Sequence, residues 1–235
     1  TIIGSSDDQV RKLSLLMEKF LNTGVDGIIV SPCPGCEDAV NKALERNVPV
    51  VLIDRDLPTM DNVGRVLLNN SMSGNMAVSH LVKRGYKRIE FIKYETTITT
   101  LLEREAGYID QMRKSGLEEY IKVRAVSRET MMRDMVSVVR MSYESGAEAV
   151  IFPSNTITVS GISAINTLGY KIPEQLAVVG FDQNDRAGIF HPEISFIEQP
   201  TKLVAECSFK MLVDAIRDDQ EMTSLILEPM LYAKI

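Results

Sequence analysis

The feature that most constrains this chain is an alternation. Short β-branched runs such as "DGIIVSP", "VPVVLID", "EAVIFPS" and "LAVVGF" are separated by amphipathic stretches of helical period. The runs lack the apolar/polar alternation of a half-exposed sheet, so both of their faces must be buried. Helices between such strands supply the cover, which dictates a parallel sheet in an α/β fold with right-handed crossovers. In "VRKLSLLMEKFL" the apolar positions Val10, Leu13, Leu16, Met17, Phe20 and Leu21 recur at helical spacing, with Asp7 or Asp8 as cap and Gly24 as stop.

The pattern runs twice. "TIIGSS", "DGIIVSP", "VPVVLID", "RVLLN" and "RIEFIKY" are strands of a first set, with helices "VRKLSLLMEKFL", "EDAVNKALERN" and "SGNMAVSHLVKRG". Helix "LEREAGYIDQMRKSG" and strand "YIKVRAV" open a second set. Helix "TMMRDMVSVVRMSYESG", strand "EAVIFPS", helix "ITVSGISAINTLG" and strand "LAVVGF" continue it. "ISFIEQP", the long helix "KLVAECSFKMLVDAIRD" and one final strand "SLILEPMLYAK" complete the chain, and no low-complexity linker interrupts it.

A chain of 235 residues, 45% hydrophobic and 25% charged, has ample material for such a core. Its net charge of −6 argues against a grip on phosphate backbones by this segment itself. Three cysteines are an odd count without paired spacing, which fits a reducing cytoplasm better than a disulfide scaffold. No apolar run approaches the roughly 18 residues of a membrane span.

In open parallel sheets ligands bind outside the carboxyl ends of the strands. Asp54, Asn155 and Asp182 stand at or just past such ends, in "VVLID", "VIFPSN" and "VVGFD". Each residue alone is also an ordinary turn former. For Asp182 the two readings are a cap on the following turn or a carboxylate aimed into a crevice.

The order "DGIIVSP", "VPVVLIDR", "HLVKRGYKRIEFI", "REAGYIDQMRKSG", "LGYKIPEQLAVVGFD", "HPEIS", "ISFIEQP" resembles the sugar-binding core of lactose- and galactose-repressor-type transcription regulators over essentially the whole chain. The resemblance implies two Rossmann-like lobes of the periplasmic-binding-protein type, crossed by three hinge strands, with a sugar or related effector between them. It places the lobes at 1–95 plus 198–219 and at 96–197 plus 220–235, with the first strand of lobe 1 missing from this sequence. It also implies a cytoplasmic homodimer, built in part on "EDAVNKALERN", that acts on operator DNA through a helix-turn-helix module not in this chain.

Position by position, Arg104 of "REAGY" matches an arginine that reaches effector hydroxyls, and Thr100 a small polar pocket residue. Asn155 matches the first member of an Asn-Asp pair whose acid is Thr156 here. Asp182 matches an acidic pocket residue, Gln199 lies where a hinge strand passes the ligand, and Asp54 and Arg55 of "LIDR" are the first lobe's candidates. Met72 stands where the family's type member has an aspartate, so a sugar preference does not transfer. Carboxylates accept hydroxyl protons, a guanidinium donates in a plane, and an amide does both. Catalysis, cofactor and metal are not called for. Arg104 paired with a glutamate of its own helix is the structural alternative.

Other features point less far. Cys33 and Cys36 of "CPGC" stand between a strand and a helix, as a thiol oxidoreductase pair would, but the inner dipeptide is Pro-Gly and no tryptophan precedes it. A periplasmic sugar-binding protein is the other alternative. His80 and His191 are far apart in sequence, which speaks against a metal site. Ser160-Gly161 does not sit in a nucleophile-elbow frame, and there is no P-loop or G-x-G-x-x-G. "TTITT" reads as hydroxyl donors or a solvated hinge loop, "RDDQE" as a charged turn and "MMRDM" as core filler.

Overall fold

The computed structural model describes residues 1–182, 194–218 and 222–234, which form two compact units. The first comprises Thr1–Leu68 and Pro200–Leu227, the second Asn69–Gln199 and Glu228–Ile235, so the chain passes between them three times. His191 and most of "RDDQE" lie outside the described residues.

In the first unit the strands are β1 (Ile28–Val30), β2 (Val50–Ile53), β3 (Gly64–Leu68) and β9 (Ser224–Leu227), hydrogen-bonded in the order β1-β2-β3-β9 and all parallel. Helices α1 (Val10–Thr23) and α2 (Glu37–Leu44) cover one face, through Leu13, Met17, Val40, Val50 and Leu52. Helix α7 (Thr201–Asp218) covers the other, through Leu212, Val51, Val66 and Leu227. Val50 and Leu52 thus face one layer while Val51 faces the other, as an uninterrupted apolar run requires.

The second unit has six strands in the order β10-β8-β7-β6-β4-β5. They are β4 (Ile89–Tyr94), β5 (Lys122–Val126), β6 (Ala149–Ile151), β7 (Ala177–Phe181), β8 (Ser195–Glu198) and β10 (Met230–Tyr232). All pairs are parallel except β10, which runs antiparallel to β8 at the edge. Helices α3 (Asn70–Lys83) and α4 (Thr99–Lys114) bury Leu81, Tyr108 and Met112 against Phe91, Ile151 and Val179. Helices α5 (Met131–Glu144) and α6 (Asn155–Leu168) bury Met135, Val139 and Ile165 against Ile92, Val150 and Val178.

The structure departs from the sequence expectations in four places. The lobe boundary expected at 95 falls at Leu68/Asn69, because β4 bonds β5 and β6 rather than β3. The carboxy-terminal run is two strands, not one. Residues 224–227 pair with β3 in the first unit, Pro229 interrupts, and β10 joins the second sheet. "TIIGSS" forms no strand and is largely exposed, consistent with β1 pairing only β2 among the described strands. Neither Asp7 nor Asp8 caps α1. Gln9 is the N-cap residue, and the two aspartates, both at positive φ, pair instead with Lys12 and Arg55. Gly24 ends α1 in the left-handed conformation as expected.

Candidate functional site

In the second unit the polar residues gather at the carboxyl ends of β6, β7 and β8. Strand β7 runs into Asp182, whose φ is +59°, a left-handed geometry that an aspartate tolerates better than a β-branched residue does. That turn of backbone is held from three sides. The Asp182 amide donates to the Ile197 carbonyl at 2.9 Å, its carbonyl accepts from Asn155 Nδ2 at 3.0 Å, and its Oδ2 accepts from Gln199 Nε2 at 3.2 Å. Residues 155, 182 and 199, remote in sequence, therefore meet at one aspartate.

Asn155 is placed by the start of α6, which Ser154 caps by accepting the Ile157 amide at 3.5 Å. Thr158, one turn in, donates to the Ser154 carbonyl at 2.8 Å and accepts from the Phe181 amide at 3.1 Å, stitching α6 to the end of β7. Gly180 makes that approach possible, since a Cβ there would lie 2.5 Å from the Thr158 methyl.

Arg104 is only 3% exposed. Its Nε donates to Asn70 Oδ1 at 3.0 Å, its Nη1 to the Pro153 carbonyl at 2.7 Å, and its guanidinium carbon sits 4.7 Å from the centre of the Phe181 ring. Phe181 immediately precedes Asp182, so the cation and the carboxylate are fixed to the same strand end. The expected alternative, an ion pair with a glutamate of the same helix, is not the arrangement these contacts describe. Glu103 instead accepts from Asn70 Nδ2 at 3.1 Å, and Glu105 pairs with Lys93. Thr100 is buried one helical turn before Arg104, in the first turn of α4 rather than in a solvated loop.

Two glycines set this part of the site. A Cβ at Gly74 would fall 1.9 Å from the Arg104 carbonyl, and one at Gly107 equally close to the Ser71 carbonyl. Helices α3 and α4 are therefore in backbone contact, which brings Asn70 under the Arg104 side chain. Asn70, Thr158 and the two glycines escaped the sequence reading. "LLNN" reads as strand followed by helix cap, and Asn69 does cap α3 by accepting the Met72 amide at 3.0 Å. Nothing in the string marks its neighbour Asn70 as the arginine's partner.

The first unit presents a simpler group. Asp54 follows β2 with φ +65°. Arg55 Nε lies 3.7 Å from Asp54 Oδ2, and its Nη1 donates to Asp8 Oδ1 at 2.6 Å and to the Pro32 carbonyl at 3.4 Å. The cysteines of "CPGC" are both buried, and burial pushes both thiols above their ordinary range, Cys36 to about 11. That is the reverse of an activated redox thiol.

His80, also buried, is held neutral, its basicity lowered to about 4 by burial and then by Arg84 and Lys83. Arg84 Nη1 donates to Nδ1 at 3.1 Å, so Nε2 carries the proton and donates to Ser195 Oγ at 2.9 Å. Ser195 accepts again from the Lys234 amide at 3.1 Å. This is a structural tie between α3, β8 and the residues after β10. Among the described residues no group of three or more His, Cys, Asp or Glu is placed to hold a metal ion. An open cleft of about 830 Å³ between Arg84, Arg88, Tyr143, Glu148 and Pro173 lies at the opposite, amino ends of the strands, and there Arg88 is already paired with Glu148 at 2.8 Å.

Residues 78–234 match the family of the periplasmic binding protein-like domain. The chain is 26% identical over 230 residues to the HTH-type transcriptional repressor PurR of Erwinia tasmaniensis, covering 96% of this chain and 67% of that protein. It superposes on a putative ribose operon repressor from Burkholderia thailandensis with a TM-score of 0.82 and 24% identity, over 99% of this chain and 86% of the other. A LacI family transcriptional regulator from Enterococcus faecium, solved with bound ribose, gives a TM-score of 0.85 at 19% identity, over 100% and 88% of the two chains. The chain belongs to the periplasmic binding protein-like domain family, as an effector-binding domain of the lactose- and galactose-repressor type.

Proposed function

We propose that this domain senses a sugar or a related small polyhydroxyl ligand and controls a transcription regulator. The observation that carries the reading is the convergence of Asn155, Asp182 and Gln199 at the strand ends, with Arg104 fixed against the adjacent Phe181. A planar cation, a carboxylate and two amides on a rigid frame suit several hydroxyl groups at once. Thr100 adds a hydroxyl, and Asp54 and Arg55 are the residues of the first unit proposed to touch the effector. The domain binds and releases its ligand unchanged and is not an enzyme.

The wider setting belongs to the same proposal. The relatives are HTH-type repressors and the chain spans 62–67% of their length. A helix-turn-helix module carried by the same regulator would then bind operator DNA, with the regulator a cytoplasmic homodimer. No helix of the described residues is long and apolar enough to cross a membrane.

The test is a thermal-shift screen of pentoses, hexoses and disaccharides beginning with ribose, since a ligand that binds only the native state raises its melting point. At a concentration 100-fold above Kd the stabilisation is about 2.7 kcal/mol. A sugar that raises the melting point in the native chain, and raises it markedly less in Asp182→Asn, supports the proposal. A complete panel without a shift contradicts it.

A further inference from the structure

The "CPGC" turn takes no part in the proposed effector contacts, and its geometry supports a separate chemistry. Cys33 follows β1, Cys36 is the N-cap residue of α2, and each is 1% exposed. The Cys36 amide donates to the Cys33 carbonyl at 3.2 Å, closing a four-residue turn. Pro34 in its second position has φ fixed near about −65°, and Gly35 in its third has φ +86°. A positive φ at the third position is what a type II turn requires. Such a turn brings its end Cα atoms within about 7 Å, which overlaps the roughly 4.4–6.8 Å separation that a disulfide requires.

We propose that Cys33 and Cys36 are a reversible modification site that closes to an intramolecular disulfide when a small-molecule disulfide is supplied. When the turn opens to solvent, the Cys33 thiolate attacks one sulfur of the oxidant R–S–S–R, forming a mixed disulfide and expelling RS⁻. The Cys36 thiolate then attacks the Cys33 sulfur and expels the second RS⁻. The two cysteines lose two protons and two electrons in all, and the two thiolates released carry the electrons and take up the protons. Burial raises both thiols, so exchange is slow near neutrality and quickens in alkali.

Closure would fasten the loop that presents the Pro32 carbonyl to Arg55. The pair differs from a thioredoxin-like centre in turning over nothing. It is a preorganised dithiol whose state records the supply of oxidant. Its formation does not depend on the identity of the effector.

The experiment uses the full chain carrying Cys207→Ser, so that the third cysteine is out of play. The protein is equilibrated with mixtures of oxidised and reduced glutathione at mildly alkaline pH and quenched in acid. Remaining thiols are alkylated with N-ethylmaleimide, and the peptides are mapped by mass. The expected product is a peptide containing residues 33 and 36 that carries no alkyl group, is lighter by two hydrogens, and regains both thiols with dithiothreitol. Full alkylation of both cysteines under the most oxidising mixture would overturn the proposal. So would glutathione held on either cysteine without closure.

Discussion

Strand β2 of the first unit and β7 of the second each end on an aspartate in left-handed conformation, Asp54 at φ +65° and Asp182 at φ +59°. The surroundings of the two then diverge. Asp54, Arg55 and Asp8 form a chain of ion pairs whose side chains are 38%, 18% and 35% exposed. Around Asp182 the contacts are hydrogen bonds from Asn155 and Gln199, and the cation beside it, Arg104, is 3% exposed and stacked on Phe181. Partly hydrated ion pairs are worth little and rearrange at little penalty. A buried guanidinium with its acceptors in place is fixed, and its removal strands them. The polar group of the second unit is therefore the more firmly fixed of the two, and that of the first the more easily rearranged.

The contrast is broken most severely by spreading α3 from α4. Gly74→Ala would set a methyl 1.9 Å from the Arg104 carbonyl, which no rotamer relieves. We expect a loss of about 2–4 kcal/mol in chemical unfolding. Arg104→Ala comes next, at about 2–4 kcal/mol of stability together with loss of effector binding. The sequence alone suggests a binding residue whose removal spares the fold. Burial and the bonds to Asn70 and the Pro153 carbonyl change that expectation, and equal melting points for the variant and the native chain would refute it.

Acid destabilises the second unit on a smaller scale. His80 titrates near 6.5 when unfolded and about 4 when folded, so the unfolded state binds the extra proton first. Stability is full above pH 6.5 and falls as the pH drops toward 4, by about 1–2 kcal/mol between pH 7 and pH 5. Urea titrations at the two pH values should show the drop in the native chain and a much smaller one in His80→Gln. Smallest of all is Arg55→Ala, expected to change stability by less than about 1 kcal/mol because its partners stay hydrated. A loss comparable with that of Arg104→Ala would erase the distinction between the units.

Much of this is legible in the sequence. Uninterrupted apolar runs specify a doubly covered parallel sheet, and "VVGFD" places an aspartate at a strand tip whatever the order of the strands. Strand order itself was not readable. "RIEFIKY" would bury equally well beside β3 or beside β6, and only backbone pairing assigns it to the second unit. Pro229 is a visible break, but its consequence, two short strands in different sheets, depends on which edges await them. Asn70 was invisible because its role comes from a helix crossing set by two glycines 33 residues apart.

The most direct test is calorimetry with the sugar that the thermal-shift screen selects, comparing the native chain with Asp182→Asn. Asparagine tolerates the same backbone angles and can still accept from Gln199, so the unliganded melting point should hardly move. It loses the ionised acceptor for the effector's hydroxyls, at about 1.5–3 kcal/mol, a weakening of roughly ten- to a hundredfold. Gln199→Ala combined with it should weaken binding by less than the sum of the two, since both act on one carboxylate. Unchanged affinity in Asp182→Asn would contradict the central claim and leave Asp182 as a turn residue alone.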